Sequence, residues 1–142
     1  MCRISLTKNF GMLSCIEKLR AGEFLSKHRE ISILIDDLLG RISNPFFTVV
    51  LFGSYAKGTY DKQSDLDLLF IMPDGSFENE LSSSIASVNR ISPLGIHEII
   101  ITYGEFISML KEKNLNVAKE VLESHLIFYG SEAFYKMLEA AL

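Results

Sequence analysis

Tryptophan is absent from the 142-residue chain, and cysteine, histidine and proline are scarce, with two, three and three residues. Cys2 and Cys15 lie close together near the N-terminus. Such a pair builds no disulfide framework and fits a reduced, cytoplasmic protein. His28, His97 and His125 are scattered without metal-ligand spacing, so each is read as structural or superficial. No apolar run reaches the roughly eighteen residues of a membrane span. Met1–Ser14 carries charge and lacks the apolar centre of a signal peptide. Basic residues are not in excess: Lys and Arg number 14 against 18 Asp and Glu, a net charge of −4. A broad nucleic-acid footprint needs a basic stripe, so none is expected, although a tRNA end or a protein stays open as a partner.

What is present is a core. Hydrophobic residues make up 48% of the chain, ample for one domain over residues 1–142, with residues 1–25 as an N-terminal extension. The most informative stretch is Val49–Ile71, VVLFGSYAKGTYDKQSDLDLLFI. Val49–Phe52 is a short β-branched and apolar run, which reads as a buried strand. Gly53-Ser54 ends it, Ser54–Lys57 suits one helical turn, and Gly58 suits a left-handed stop. After a polar connection, Asp65-Leu66-Asp67 leads into a second apolar run, Leu68–Ile71.

Strand residues two apart share a face, so Asp65 and Asp67 project together and Leu66 and Leu68 oppose them. Two adjacent carboxylates repel unless a cation lies between them. Mg²⁺, or Mn²⁺, relieves that conflict with carboxylate and water oxygens. Exposed N–H groups at the start of the helical turn attract phosphate. A phosphate cradle beside a carboxylate-held metal is the equipment of phosphoryl or nucleotidyl transfer.

Gly53-Ser54, ten residues, Asp65-x-Asp67, with Gly58 between and Ser64 before the pair, resembles the signature of the DNA polymerase β-type nucleotidyltransferase superfamily. The small minimal nucleotidyltransferase branch is the most similar. The resemblance covers the middle third of the chain strongly and the tail from Ile99 to Phe134 more loosely. It implies a metal-dependent enzyme that moves a nucleoside monophosphate from an NTP, with ATP the first choice, to a hydroxyl. Gly53 and Ser54 would hold phosphates, Lys57 would neutralise the triphosphate or pyrophosphate, and Gly58 and Ser64 would complete the nucleotide site. Asp65 and Asp67 would hold the metal. Superfamily members commonly carry a third acid on a later strand, and Glu98 is the candidate here. No separate acceptor domain follows, so a partner or a second copy would complete the site. The branch is often paired with a helical HEPN-type toxin, which makes an antitoxin role one alternative. A non-catalytic nucleotide-binding module is the other.

Elsewhere the pattern predicts an α+β domain, a small mixed sheet flanked by helices. Met1–Gly11 reads as irregular, and Ser14–Phe24 as loosely helical, with Cys15, Ile16, Leu19 and Phe24 as its apolar positions. Ser26–Ile42 reads as an amphipathic helix capped by Ser26, with Ile31, Leu34, Ile35, Leu38, Leu39 and Ile42 facing the core. Asp36-Asp37 is taken as its solvated face. Pro73–Gly75 is a turn, Glu78–Asn89 a helix, His97–Thr102 a third strand, and Glu105–Lys113, Asn116–Ser124 and Ser131–Leu142 further helices. Ile127–Gly130 is an extended piece or a turn. Tyr55 and Tyr60 are read as packing over the loop.

Overall fold

Four short strands form one sheet in the computed structural model, which describes residues 10–142. They are β1 (Thr48–Phe52), β2 (Leu66–Met72), β3 (Ile96–Thr102) and β4 (Leu126–Tyr129), lying side by side in the order β3-β2-β1-β4. β1 is antiparallel to both β2 and β4, whereas β2 and β3 run parallel. Helices α1 (Phe10–Lys27) and α2 (Arg29–Arg41) precede the sheet. The single turn α3 (Gly53–Lys57) follows β1, and α4 (Glu78–Ile91) crosses from β2 to β3. The chain closes with α5 (Tyr103–Lys111), α6 (Val117–Glu123), β4 and α7 (Ser131–Ala141). The expected mixed sheet flanked by helices is therefore present, with Ile127–Gly130 resolved as a fourth strand and its end.

The two central strands are apolar because both their faces are covered. Val49, Leu51, Leu66, Leu68 and Phe70 pack against Ile31, Leu34, Ile35 and Leu38 of α2 and Leu81, Ile85 and Val88 of α4. Val50, Phe52, Leu69 and Ile71 pack on the other face against Phe106, Ala118, Val121, Phe134 and Leu138. Within β2 every residue is buried except Asp67. Helix starts obey local chemistry: Thr102 and Glu105 form a capping box at α5, and the Asn116 side chain accepts from Lys119 N at α6. No helix among the described residues is long and apolar enough to cross a membrane.

Two expectations need correction. Ser26 does not cap the second helix; it lies within α1 and donates Oγ to Glu23 O at 2.7 Å. His28 takes the break between the two helices, so α2 begins at Arg29. The apolar spacing of α1 also misleads, since Ile16 and Leu19 are exposed while Ala21 and Glu17 are buried. The stretch expected to be irregular lies mostly outside the described residues, and Gly11 is helical. Asp36-Asp37 is solvated as expected, with Asp37 paired to Arg41 at 2.9 Å.

α1 docks through Leu13, Phe24 and Leu25, which pack against the core, and through a set of polar contacts. Tyr135 donates its hydroxyl to Glu17 Oε1 at 2.6 Å, and Arg20 Nη1 lies 3.0 Å from the same oxygen. Arg20 Nη2 donates to His125 O, and His125 Nε2 stands 3.8 Å from Glu17. Burial alone pushes the Glu17 carboxyl up, but the His125 ring, the Tyr135 hydroxyl and the Arg20 charge outweigh it and hold it below its ordinary value. Burial likewise pushes the Tyr135 hydroxyl up, reinforced by Glu17. A depressed carboxyl pKa stabilises the fold above the unfolded-state value near 4.5. That stabilisation is lost as pH falls through the folded-state pKa. Glu17→Gln should therefore cost about 1–3 kcal/mol at neutral pH and flatten the acid limb below pH 4.5. Urea midpoints between acid and neutral pH check this, and an acid limb as steep as wild type would refute it.

Candidate active site

Phe52 ends β1 in extended conformation and Gly53 turns at φ +70°, a left-handed value that a side chain disfavours. One helical turn follows. Gly58 stops it at φ +79°, its N–H bonded to Ser54 O, as the sequence led us to expect. The loop beyond is tied by its own polar groups. Ser64 Oγ accepts from Asp61 N at 2.9 Å and donates to Asp61 Oδ1 at 3.3 Å. The hydroxyl of Ser64 is thus engaged in holding the turn. Tyr55 and Tyr60 stack on each other with centroids 4.3 Å apart and planes 10° from parallel, and the His28 ring meets both edge-on. Their packing over the loop is the reading made from sequence.

The register brings the paired acids to this turn. Phe52 lies opposite Asp67 in the antiparallel ladder, so Gly53 falls beside the Asp67 side chain. A Cβ on Gly53 would lie 2.0 Å from Asp67 Oδ2. Glycine is required here by a carboxylate of the neighbouring strand, whereas the sequence had suggested phosphate alone. Asp65, just ahead of β2, rests in the same way on Gly95, where a Cβ would come 2.5 Å from Oδ1. Gly95 also accepts from Leu66 N at 2.9 Å. Each carboxylate is therefore seated against bare backbone at a strand end.

The parallel register pairs Asp67 with His97 and Leu68 with Glu98. Strand alternation then places His97 on the face of Asp67 and Glu98 on the face of Leu66 and Leu68. Glu98 is exposed and is not brought to the acid pair, which corrects the expectation of a third carboxylate there. The imidazole stands in that position instead. His97 donates from Nδ1 to Asp67 Oδ1 at 2.8 Å. Sequence reasoning passed over His97 because nothing in its local pattern reveals a partner thirty residues earlier.

Asp67 and His97 open onto a cleft of about 590 Å³, a nucleotide-sized volume. Phe52 and Ile99 continue the sheet side. Leu115, Asn116, Val117, Glu120 and Glu123 form the opposite wall, on α6 and the loop before it. Lys57 reaches across from α3, with Nζ 3.9 Å from Glu120 Oε1. Both partners are nearly half exposed, so this pair is weak and easily exchanged for another anion. The turn, the two acids and Lys57 are thus gathered at one end of the sheet, Ser64 holds the loop, and Glu98 stands apart.

Among the described residues no three Asp, Glu, His or Cys side chains are gathered as a ready-made metal cage. Mg²⁺ rarely uses one, being held by one or two carboxylates with substrate phosphates and water. The oxygen donors of Asp65 and Asp67 fit such an ion.

Comparison with known proteins points the same way. The family model described as a nucleotidyltransferase domain matches residues 31–128. Two proteins of Methanocaldococcus jannaschii, each named as a candidate protein adenylyltransferase, are similar to this chain. One is 36% identical over 64 residues, covering 45% of this chain and 58% of that protein. The second is 27% identical over 95 residues, covering 63% and 65%. The match therefore spans less than two thirds of either relative's length. A solved structure described as a toxin-antitoxin with AMP-PNP is similar in fold, with a TM-score of 0.50 at 14% identity over 80% of this chain and 83% of that one.

The two glycine seats differ in kind, and their substitutions should differ too. Gly53→Ala meets both a left-handed backbone and the Asp67 carboxylate, whereas Gly95→Ala meets only the end of the Asp65 side chain. Expected losses are about 1–3 kcal/mol for Gly53→Ala and under about 1 kcal/mol for Gly95→Ala. Urea unfolding of the two variants decides, and equal losses would contradict the assignment.

Proposed function

The chain belongs to the nucleotidyltransferase domain family, and on that premise we propose that it transfers a nucleoside monophosphate, AMP first, from a nucleoside triphosphate to a hydroxyl on a protein. The observation that carries this reading is the contact of the Gly53 turn with the Asp67 carboxylate. It puts backbone N–H groups suited to phosphate beside oxygens suited to a divalent cation. The relatives' names support adenylate as the group and a protein as the acceptor.

The roles follow from the residues. Gly53 and Ser54 offer main-chain N–H groups to the terminal phosphates. Lys57 leaves its weak pairing with Glu120 to neutralise the leaving pyrophosphate. Asp65 and Asp67 would hold Mg²⁺ or Mn²⁺, and a bound ion supplies charge neutralisation on the triphosphate and acidity to the attacking hydroxyl. His97 fixes the rotamer of Asp67 through Nδ1. The acceptor oxygen bonds to the α-phosphorus, the bond to pyrophosphate breaks, and the hydroxyl proton leaves to solvent. Catalysis here is alignment plus electrostatic stabilisation, without a covalent enzyme intermediate.

A second reading is favoured by the imidazole found where a third acid was expected. It is a nucleotide-binding module that partners a helical protein and transfers nothing. The toxin-antitoxin fold neighbour supports a paired role of this sort, whether catalytic or not.

Incubation of the full chain with each labelled NTP, Mg²⁺ or Mn²⁺ and a cell extract separates the two. Label from ATP should appear on protein. Asp67→Asn should lower that rate about 100-fold or more, the ~3 kcal/mol cost of a preorganised electrostatic group. His97→Ala should lower it less while leaving ATP affinity close to wild type. Tight ATP binding with no labelled product would establish the module reading.

A further inference from the structure

We propose that the acceptor is an extended, cationic polypeptide segment that adds to the sheet along the outer edge of β3. This rests on the nucleotidyl-transfer reading and names its second substrate.

The sheet ends at β3, and among the described residues no strand pairs with its far side. The direction of its backbone groups can be read from its contacts. Gly95 O accepts from Leu66 N, so Gly95 faces β2, and by alternation His97, Ile99 and Ile101 face β2 as well. The N–H and C=O groups of Ile96, Glu98, Ile100 and Thr102 therefore point outward. Both ends of this row are already sealed by side chains. Ile96 N donates to Asn89 Oδ1 at 3.0 Å, and Thr102 N donates to Glu105 Oε1 at 3.3 Å. Between the seals, Glu98 and Ile100 present donor and acceptor pairs to a short added strand.

Exposed edges are ordinarily blunted by lysine, proline or a bulge. β3 carries none of these, has Glu98 as its one acidic edge charge, pairs with β2 in unbroken register, and leaves Ile99 and Ile100 half-buried. The edge also borders the cleft, whose sheet wall includes His97 and Ile99. A strand added beside β3 would lie about 10 Å from the β2 backbone, twice the strand spacing, with alternate side chains turned toward Asp67.

Charge selects the segment. Asp67, Glu120 and Glu123 line the cleft, and Glu98 stands on the opposite face of the same edge. The cations nearest the cleft already have partners, Lys57 weakly in Glu120 and Lys119 in the carbonyls of Glu112 and Asn114. By strand alternation, Lys or Arg on either side of a hydroxyl residue seated in the cleft would turn to the opposite face, where Glu98 stands.

The test uses the full chain and a fluorescein-labelled heptapeptide, Lys-Val-Arg-Tyr-Arg-Val-Lys, followed by anisotropy and by transfer of label from ATP. The peptide should bind at least 10-fold more tightly than its counterpart with Glu at the basic positions, and it should accept label. Methylation of its alternate backbone nitrogens should weaken binding about 10-fold with every side chain unchanged. Glu98→Pro removes an outward N–H from an edge strand, where proline is tolerated, and should weaken binding with unchanged circular dichroism. Undiminished binding of the methylated peptide overturns strand addition, and equal binding of the acidic peptide overturns the charge argument. A dimer that Glu98→Pro dissociates would assign the edge to a second copy instead. Labelled protein in an extract without backbone-dependent peptide binding would sink this proposal and leave the transfer reading intact. Peptide binding with no transfer to anything would overturn the transfer reading, and with it the acceptor role.

Discussion

The contact between Gly53 and the Asp67 carboxylate is the constraint around which the other elements are arranged. A side chain at Gly53 would overlap Asp67 Oδ2, so the turn after β1 and the acid on β2 can meet only through bare backbone. Antiparallel pairing of Phe52 with Asp67 sets that meeting, and the left-handed Gly53 aims the chain into α3. Gly95 repeats the device one strand over, beneath Asp65. Two acids on successive outward positions of one strand end are thereby each confined by a neighbouring strand. Mutual repulsion between them is tolerated because the strands beneath are anchored by apolar packing on both faces.

That anchoring explains why so polar a feature can sit at the end of so apolar a sheet. β1 is buried throughout and β2 at every position but Asp67, so a slip of one residue would drive Asp67 into the core and expose leucines. Register and site geometry are thus the same quantity. The C-terminal helices cover one face of the sheet and, through α6, wall the cleft, so Glu120 and Glu123 confront Asp67 across it. α1 joins this half of the molecule by the buried Glu17–Tyr135 contact together with the packing of Leu13.

Much of this was legible in the sequence, for local reasons. β1 and β2 are short apolar runs flanked by turn residues. The spacing of Asp65 and Asp67 gives their common face, and Gly58 marks the end of a helical turn. The α2 stripe from Ile31 to Ile42 needs only a period of 3.6 residues. The misreadings come from long-range geometry. Glu98 was the acid available, but the parallel register with β2 puts His97 opposite Asp67, and one residue along a strand is the other face. Gly95 and the α6 wall likewise depend on which strand lies beside β2 and on what covers the sheet. Ser26 has a cap's chemistry, yet α1 continues through it. Ile16 and Leu19 look like a core stripe and face solvent, because the inward side of α1 carries Leu13, Ala21, Phe24 and the buried Glu17 with its three polar neighbours.

A turn, two acids and a nucleotide-sized cleft become a nucleotidyltransferase site only if nucleotide and metal come together at the seat of Asp67. The most direct measurement is amide mapping by ¹H–¹⁵N NMR as a non-hydrolysable ATP analogue and Mg²⁺ are added to the full chain. The expected result is metal-dependent shifts concentrated in residues 53–58, 65–67, 95–97 and 117–123, with the shifts near Asp67 absent when the analogue is added in EDTA. Shifts that are indifferent to metal, or that cluster instead in the separate hollow around Gly130–Glu132, would contradict the assignment of the site.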